Sequence, residues 1–124
     1  MNALGTQLVL ELKECDQSLL DDLTYVRATL IRASEAVGAT IVGESFHKFS
    51  PLGVTGVLSI AESHICIHTW PEYSYAAVDV FTCGDGFDPN IAAQVLVEGF
   101  QSKAPSQTEL KRGILPHLVQ SSQV

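Results

Sequence analysis

Basic residues, cysteines and long apolar runs are all scarce in this 124-residue chain. Seven Lys and Arg stand against 14 Asp and Glu, for a formal net charge of −7. A nucleic-acid binder needs a basic stripe to displace counterions from phosphates, so that class is excluded. No apolar stretch approaches the roughly 18–20 residues that span a bilayer. Met1 to Gly5 has neither the basic start nor the apolar run of a secretory signal. The cysteines (Cys15, Cys66 and Cys83) are odd in number and lack CxxC spacing. A disulfide framework and a zinc ribbon are therefore not expected, and a reducing, cytoplasmic setting is. With 46% of residues in the hydrophobic set the chain is not disordered, and its length fits one domain, residues 1–124.

What is present is a change of period along the chain. Thr6 to Glu11 alternates around Leu8, Leu10 and Leu12 and reads as a strand. Leu19, Leu20, Leu23, Val26, Leu30, Ala33 and Val37 then recur at helical steps, with Asp16 or Ser18 as cap and Gly38 as terminator. Strands are expected over Ala39 to Phe49, Val54 to Ile60, His64 to Trp70 and Tyr75 to Cys83, with a turn at Pro51-Leu52-Gly53 and a break at Gly84-Asp85-Gly86. Asp88-Pro89 opens a second helix whose face carries Ile91, Ala92, Val95, Leu96, Gly99 and Phe100. Ser106 to Ile114 reads as a closing strand and Gln120 to Val124 as a frayed end. Two helices on one face of a mostly antiparallel sheet make an α+β two-layer sandwich. The opposite face is then bare. The run from Ala76 to Phe81 is apolar at almost every position, so a second copy of the chain is the expected cover and a dimer the expected assembly.

Reactive groups crowd between Glu62 and Cys83. Strand alternation puts His64, Cys66, His68 and Trp70 on one face and Ile65, Ile67 and Thr69 on the other. Three readings of that cluster stand on the residues alone. A metal site is disfavoured because alternate strand residues lie about 6.5 Å apart, which suits two ligands better than three. A nucleophile pair built on Ser63 or a cysteine with His68 is open, although no GxSxG elbow is present. The third reading is a solvated strand face with Cys83 as packing.

Phe46-His47-Lys48-Phe49-Ser50-Pro51-Leu52-Gly53-Val54-Thr55-Gly56, Ala61-Glu62-Ser63-His64-Ile65-Cys66-Ile67-His68-Thr69-Trp70-Pro71-Glu72-Tyr73 and Tyr75-Ala76-Ala77-Val78-Asp79-Val80-Phe81-Thr82-Cys83-Gly84-Asp85 together closely resemble the short prokaryotic S-adenosylmethionine decarboxylases. The likeness runs over nearly the whole chain. It implies a proenzyme that cuts itself between Glu62 and Ser63 into residues 1–62 and 63–124. The serine hydroxyl attacks the preceding carbonyl, the ester so formed is eliminated, and the dehydroalanine left behind hydrolyses to a pyruvoyl cofactor at the new N-terminus. That carbonyl binds the substrate amine as a Schiff base and draws in the electrons released as CO2 leaves. The product is the aminopropyl donor for spermidine biosynthesis.

The resemblance also implies a role for each matching residue. Ser63 is the pyruvoyl precursor, Glu62 the residue on the other side of the cut, and His68 the processing acid–base. Cys83 matches the proton donor, a thiol whose ordinary pKa of about 8.5 suits neutral pH. Phe49 stacks on adenine, Glu72 grips the ribose hydroxyls and Trp70 adds pocket wall. Thr55 stands where the family pattern has serine; it keeps the hydroxyl and adds a methyl that narrows the rotamer choice. His64 and Cys66 are read as structural, and Tyr73, Tyr75 and Asp79 as packing and hydrogen-bonding support. No metal is implied. Two rival readings are pyruvoyl-dependent decarboxylation of arginine or ornithine, and an uncleaved regulatory homologue. Phe49 and Glu72, which a small amino acid does not need, count against the first. The intact Ser63, His68 and Cys83 count against the second.

Overall fold

The computed structural model describes residues 3–84 and 86–116. Six strands are found: β1 (Gly5–Lys13), β2 (Ile41–Lys48), β3 (Val54–Ile60), β4 (Ser63–Trp70), β5 (Tyr75–Cys83) and β6 (Ala104–Arg112). They form one sheet in the order β2-β3-β4-β5-β1-β6, and every neighbouring pair is antiparallel. Among the described residues three helices span four residues or more: α1 (Gln17–Leu20), α2 (Leu23–Ala36) and α3 (Pro89–Gly99). This is the expected α+β arrangement. Asp85 and Gln120 to Val124, read from sequence as part of a break and as a frayed end, lie outside the described residues.

The expected single first helix is in fact two. Asp16 caps α1 by accepting from the Ser18 and Leu19 amides, and Asp22 caps α2 by accepting from the Tyr25 amide. Two acidic caps six residues apart start the helix twice. Ser18 is not the cap. Asp88 accepts from the Asn90 amide with Pro89 following, as read for α3. The last strand lies two residues earlier than its weak alternation suggested, because β6 takes its register from β1, with Val9 opposite Thr108.

The core lies between the sheet and the two longer helices. Leu8, Leu10 and Leu12 of β1, Leu58 and Ile60 of β3, Ile65 and Ile67 of β4, and Val78 and Val80 of β5 meet Val26, Leu30 and Ala33 of α2 and Leu96 of α3, with Phe100 just beyond α3; all are essentially buried. The bare face differs from expectation. Along β5 it is Ala76, Val78 and Val80 that are buried, while Tyr75, Ala77, Asp79, Phe81 and Cys83 alternate onto the open side. An apolar-looking run was in truth two faces of different character, because alternation assigns every second residue to each. The open face is mixed: Gln7 donates to Asp79 at 3.5 Å, Tyr75 donates to Glu11 at 2.7 Å, and the His64 ring stacks on Phe81 with centroids 5.6 Å apart.

Close approach of α2 and α3 depends on Gly99. A Cβ added there would meet the Cγ2 of Thr29, a fully buried side chain, at 2.6 Å. Gly99→Ala would gain about 1 kcal/mol of helix propensity, yet overpacking of a buried contact costs about 1–3 kcal/mol. The expected outcome is a net loss of stability, read as a lower urea midpoint with unchanged slope; a stabilised Gly99→Ala protein would contradict this account of the helix contact.

Candidate active site

Strand β4 carries most of the candidate residues and separates them into two groups. At its start, the two-residue turn Ala61-Glu62 joins β3 to β4, with Ile60 opposite Ser63. Glu62 sits at φ 62°, the left-handed region that favours glycine. The peptide bond that follows it leads straight into Ser63. The Ser63 hydroxyl oxygen accepts a hydrogen bond from the Cys83 backbone N–H at 3.3 Å, which fixes the start of β4 against the end of β5. Glu62, Ser63 and Cys83 line a recess of about 220 Å³, closed on its other sides by Val37 to Thr40 at the end of α2 and by Gly86 and Phe87.

The second group lies at the far end of the strand. Thr55 of β3 stands opposite His68 of β4, and the Thr55 hydroxyl shares a 3.1 Å hydrogen bond with Nδ1 of His68. Thr55 and His68 line a larger recess, about 400 Å³, together with Phe49, Leu52, Trp70 and Glu72. Phe49 and Trp70 are 46% and 41% exposed, which is unusual for large rings and leaves ring surface available to a planar guest. The Trp70 ring stacks on Tyr75 at 5.5 Å, and the His47 ring meets Phe49 edge-on at 4.5 Å. Glu72 projects from the short 3-10 turn Pro71–Tyr73 beyond β4.

Ser63 and His68 do not meet within one chain. Five residues of strand separate them, about 16 Å at about 3.3 Å per residue. They also differ in phase, since Ser63 alternates with the buried Ile65 and Ile67 while His68 is exposed on the open face. Sequence proximity hid this separation, although the period of two in β4 could have revealed it.

The His64 ring stacks on Phe81, and Cys66 is half-buried opposite Asp79. Tyr73, read as packing support, is 75% exposed on the 3-10 turn. Among residues without a role in the sequence reading, Leu52 and Thr69 are part of this end of the site. The buried Thr69 hydroxyl accepts from the Val54 N–H at 2.8 Å and donates to the Leu20 carbonyl at 2.9 Å, tying α1 to the sheet beneath the larger recess. A polar residue at an inward position of a strand was its only sequence signal.

No helix among the described residues is long and apolar enough to cross a membrane. Residues 6–113 match the family described as S-adenosylmethionine decarboxylase. A protein of Thermodesulfovibrio yellowstonii named S-adenosylmethionine decarboxylase proenzyme is 54% identical over 94% of this chain and 87% of its own length. A protein of the same name from Acidithiobacillus ferrooxidans is 49% identical over 91% of this chain and 85% of its own. The crystal structure of the adenosylmethionine decarboxylase from Aquifex aeolicus superposes with a TM-score of 0.86 at 32% identity, covering 93% of this chain and 95% of that one. In fold and in sequence alike, the protein groups with decarboxylases. The chain belongs to the S-adenosylmethionine decarboxylase family.

The cysteines make the local environments testable. Burial pushes the Cys15 thiol up to about 11, and burial together with the nearby Asp79 carboxylate raises that of Cys66. Because the thiolate is the reactive form, alkylation of Cys15 by iodoacetamide should be slow at pH 8 and rise about tenfold per pH unit until near its pKa. Cys66 should lag an unhindered thiol at the same pH. Peptide mass mapping of the alkylated protein would check both, and rapid labelling of Cys15 at pH 8 would contradict the assigned burial.

Proposed function

We propose that this chain matures by cutting itself between Glu62 and Ser63 and then decarboxylates S-adenosylmethionine, yielding an aminopropyl donor for spermidine synthesis. The observation that carries the reading is the contact of the Ser63 hydroxyl with the Cys83 amide at a left-handed turn, in a chain whose relatives are named proenzymes. Ser63 Oγ attacks the Glu62 carbonyl carbon, and the C–N bond gives way to a C–O ester. Loss of the Ser63 α-proton expels the Glu62 carboxylate and frees residues 1–62. Addition of one water and departure of ammonia leave a pyruvoyl carbonyl at residue 63. Left-handed φ at Glu62 raises the energy of the intact peptide by about 1–2 kcal/mol, in the direction that favours its rearrangement.

The residues present fit such a group. Ser63 supplies the β-oxygen, and the recess of about 220 Å³ leaves room beside it for a substrate's amino-acid portion. When formed, the pyruvoyl carbonyl would supply an electron sink for the departing CO2. Cys83 lines the same recess, which supports its reading as the donor of a proton to the substrate α-carbon. Phe49 and Trp70 offer ring faces to adenine, and Glu72 a carboxylate to the ribose hydroxyls. Metal chemistry is not part of this reading.

The proton-transfer role of His68 requires a second copy. Held at Nδ1 by Thr55, the imidazole presents Nε2 for acid–base work. It cannot reach its own Ser63 across about 16 Å of strand. A two-fold axis lying between two open sheet faces, and running across the strands, would lay the Ser63 end of one protomer over the His68 end of the other. The dimer then has two sites, each built from Ser63 and Cys83 of one single-domain chain and from Phe49, Thr55, His68 and Glu72 of its partner.

Wild-type protein should resolve into fragments 1–62 and 63–124 by denaturing mass analysis, and Ser63→Ala and His68→Ala should each stay largely intact alone. Co-expressed, the two variants should complement, because a mixed dimer keeps one site with Ser63 from the His68→Ala chain and His68 from the other. Cleavage confined to the His68→Ala chain is the expected signature, and absence of complementation would return both residues to one chain.

Cys83→Ala should retain at least partial cleavage and lose turnover by about 10²–10⁴-fold, the usual effect of removing a general acid. It should also convert the pyruvoyl group to alanine during exposure to substrate, seen as a mass change in the 63–124 fragment. Wild-type turnover with an unaltered fragment would move Cys83 to a packing role.

A further inference from the structure

The loop between β2 and β3 carries Phe49 on an unusually explicit set of tethers. Gly53 is gripped from both sides: its carbonyl accepts from the Phe49 N–H at 2.8 Å, and its own N–H donates to Asp21 Oδ1 at 2.8 Å. Lys48 Nζ lies 2.9 Å from the same Asp21 oxygen and donates to the Phe49 carbonyl, also at 2.8 Å. Asp21 itself does not float. It follows Leu20, whose carbonyl is bound by the buried Thr69 hydroxyl of β4. Hydrogen bonds and the Leu20–Asp21 peptide link therefore connect the sheet at Thr69, by way of Gly53 and Lys48, to both backbone groups of Phe49. The Gly53 amide and the Lys48 ammonium hold the Asp21 carboxyl below its usual range.

We propose that Asp21, acting through the Gly53 amide and Lys48, is the positioning residue that sets the orientation in which Phe49 meets the substrate's purine ring. This rests on the reading of Phe49 as the adenine-stacking residue. Neither Asp21 nor Lys48 touches the reacting atoms. Their effect is to select one conformation of an exposed loop, and stacking is sensitive to it because ring pairs favour offset and edge-on arrangements over a narrow range of relative positions. A solvent-exposed ion pair alone would contribute little; the weight falls on the Gly53 amide, whose loss of Asp21 frees the backbone directly bonded to Phe49. The glycine itself is at φ 111°, where a side chain would be strained, and a Cβ added there would meet the Thr69 carbonyl at 3.2 Å, so this anchoring position is kept for glycine.

The test uses full-length, self-processed protein. Asp21→Ala should cleave to the wild-type extent and keep kcat within about twofold, while KM for S-adenosylmethionine rises about tenfold. Binding of 5′-methylthioadenosine, which has the purine and ribose but no amine to react, should weaken by a similar factor in calorimetry. Asp21→Asn, which can still accept from Gly53, should fall between, and Lys48→Met, a surface change that spares the fold, should shift KM in the same direction. In a Phe49→Leu background, Asp21→Ala should add almost nothing, because the coupled residue is gone. Unchanged nucleoside binding in both Asp21→Ala and Lys48→Met, or an undiminished Asp21 effect without Phe49, would overturn the proposal while leaving the reading of the site intact. Wild-type protein that binds no nucleoside would overturn that reading and the proposal with it.

Discussion

Strand β4 is hydrogen-bonded to β3 along one edge and to β5 along the other, so its eight residues are held extended and its side chains strictly alternate. Everything at the site follows from that constraint. The inward residues Ile65, Ile67 and Thr69 are buried against the helix layer and anchor the strand; the outward ones are delivered to the open face at fixed spacing. A chain so constrained cannot fold its own two ends together, and the groups at Ser63 and at His68 become halves of different recesses. The rigidity that separates them is also what pre-organises each half: Cys83 is set beside Ser63 by β5, and Thr55 opposite His68 by β3.

Much of this was legible from periodicity, and the gaps have a common cause. The β5 boundaries, the α3 cap at Asp88 and the two faces of β4 are local properties of a few residues, so a local reading recovers them. The restart of the first helix at Asp22 turned on which of several acidic residues turned back to a free amide, a choice that composition does not record. Likewise the mixed character of the open face was masked because alanine occupies both sides of β5 and Phe81 stands on the open one. The candidate residues themselves were recognised through resemblance of a long block; their partition into two recesses was not, since number along the chain stands in poorly for distance in an extended strand. The clamp of Asp21 on Gly53 joins residues 32 apart in sequence, and nothing in either segment announces the other.

Threonine at position 55 illustrates how the same geometry tolerates a change of residue type. Its hydroxyl makes the hydrogen bond to His68 that a serine would make. The extra methyl restricts χ1, and on a β-strand that restriction is inexpensive because branched side chains suit the pleated surface. A residue that departs from the family pattern therefore keeps the same hold on the imidazole, through Nδ1.

The polar groups of the open face bear on whether it can be covered at all. An apolar patch would associate readily, whereas buried unpaired polar groups cost about 1–3 kcal/mol each. Here three polar contacts are made inside one protomer: Tyr75 with Glu11, Gln7 with Asp79, and Arg112 with the Gln7 side-chain oxygen Oε1 at 2.7 Å. Partial burial and the Glu11 carboxylate push the Tyr75 hydroxyl up to about 12, so it stays a neutral donor at any physiological pH. Covering these three pairs removes water from groups that already have a partner, and the aromatic rings of His64, Phe81, Tyr75 and Trp70 between them supply the apolar area. Pairing within the protomer thus lowers the cost of laying a second sheet on a mixed face, and the Glu11 and Asp79 carboxylates, held by the neutral donors Tyr75 and Gln7, set the part of that cost that remains.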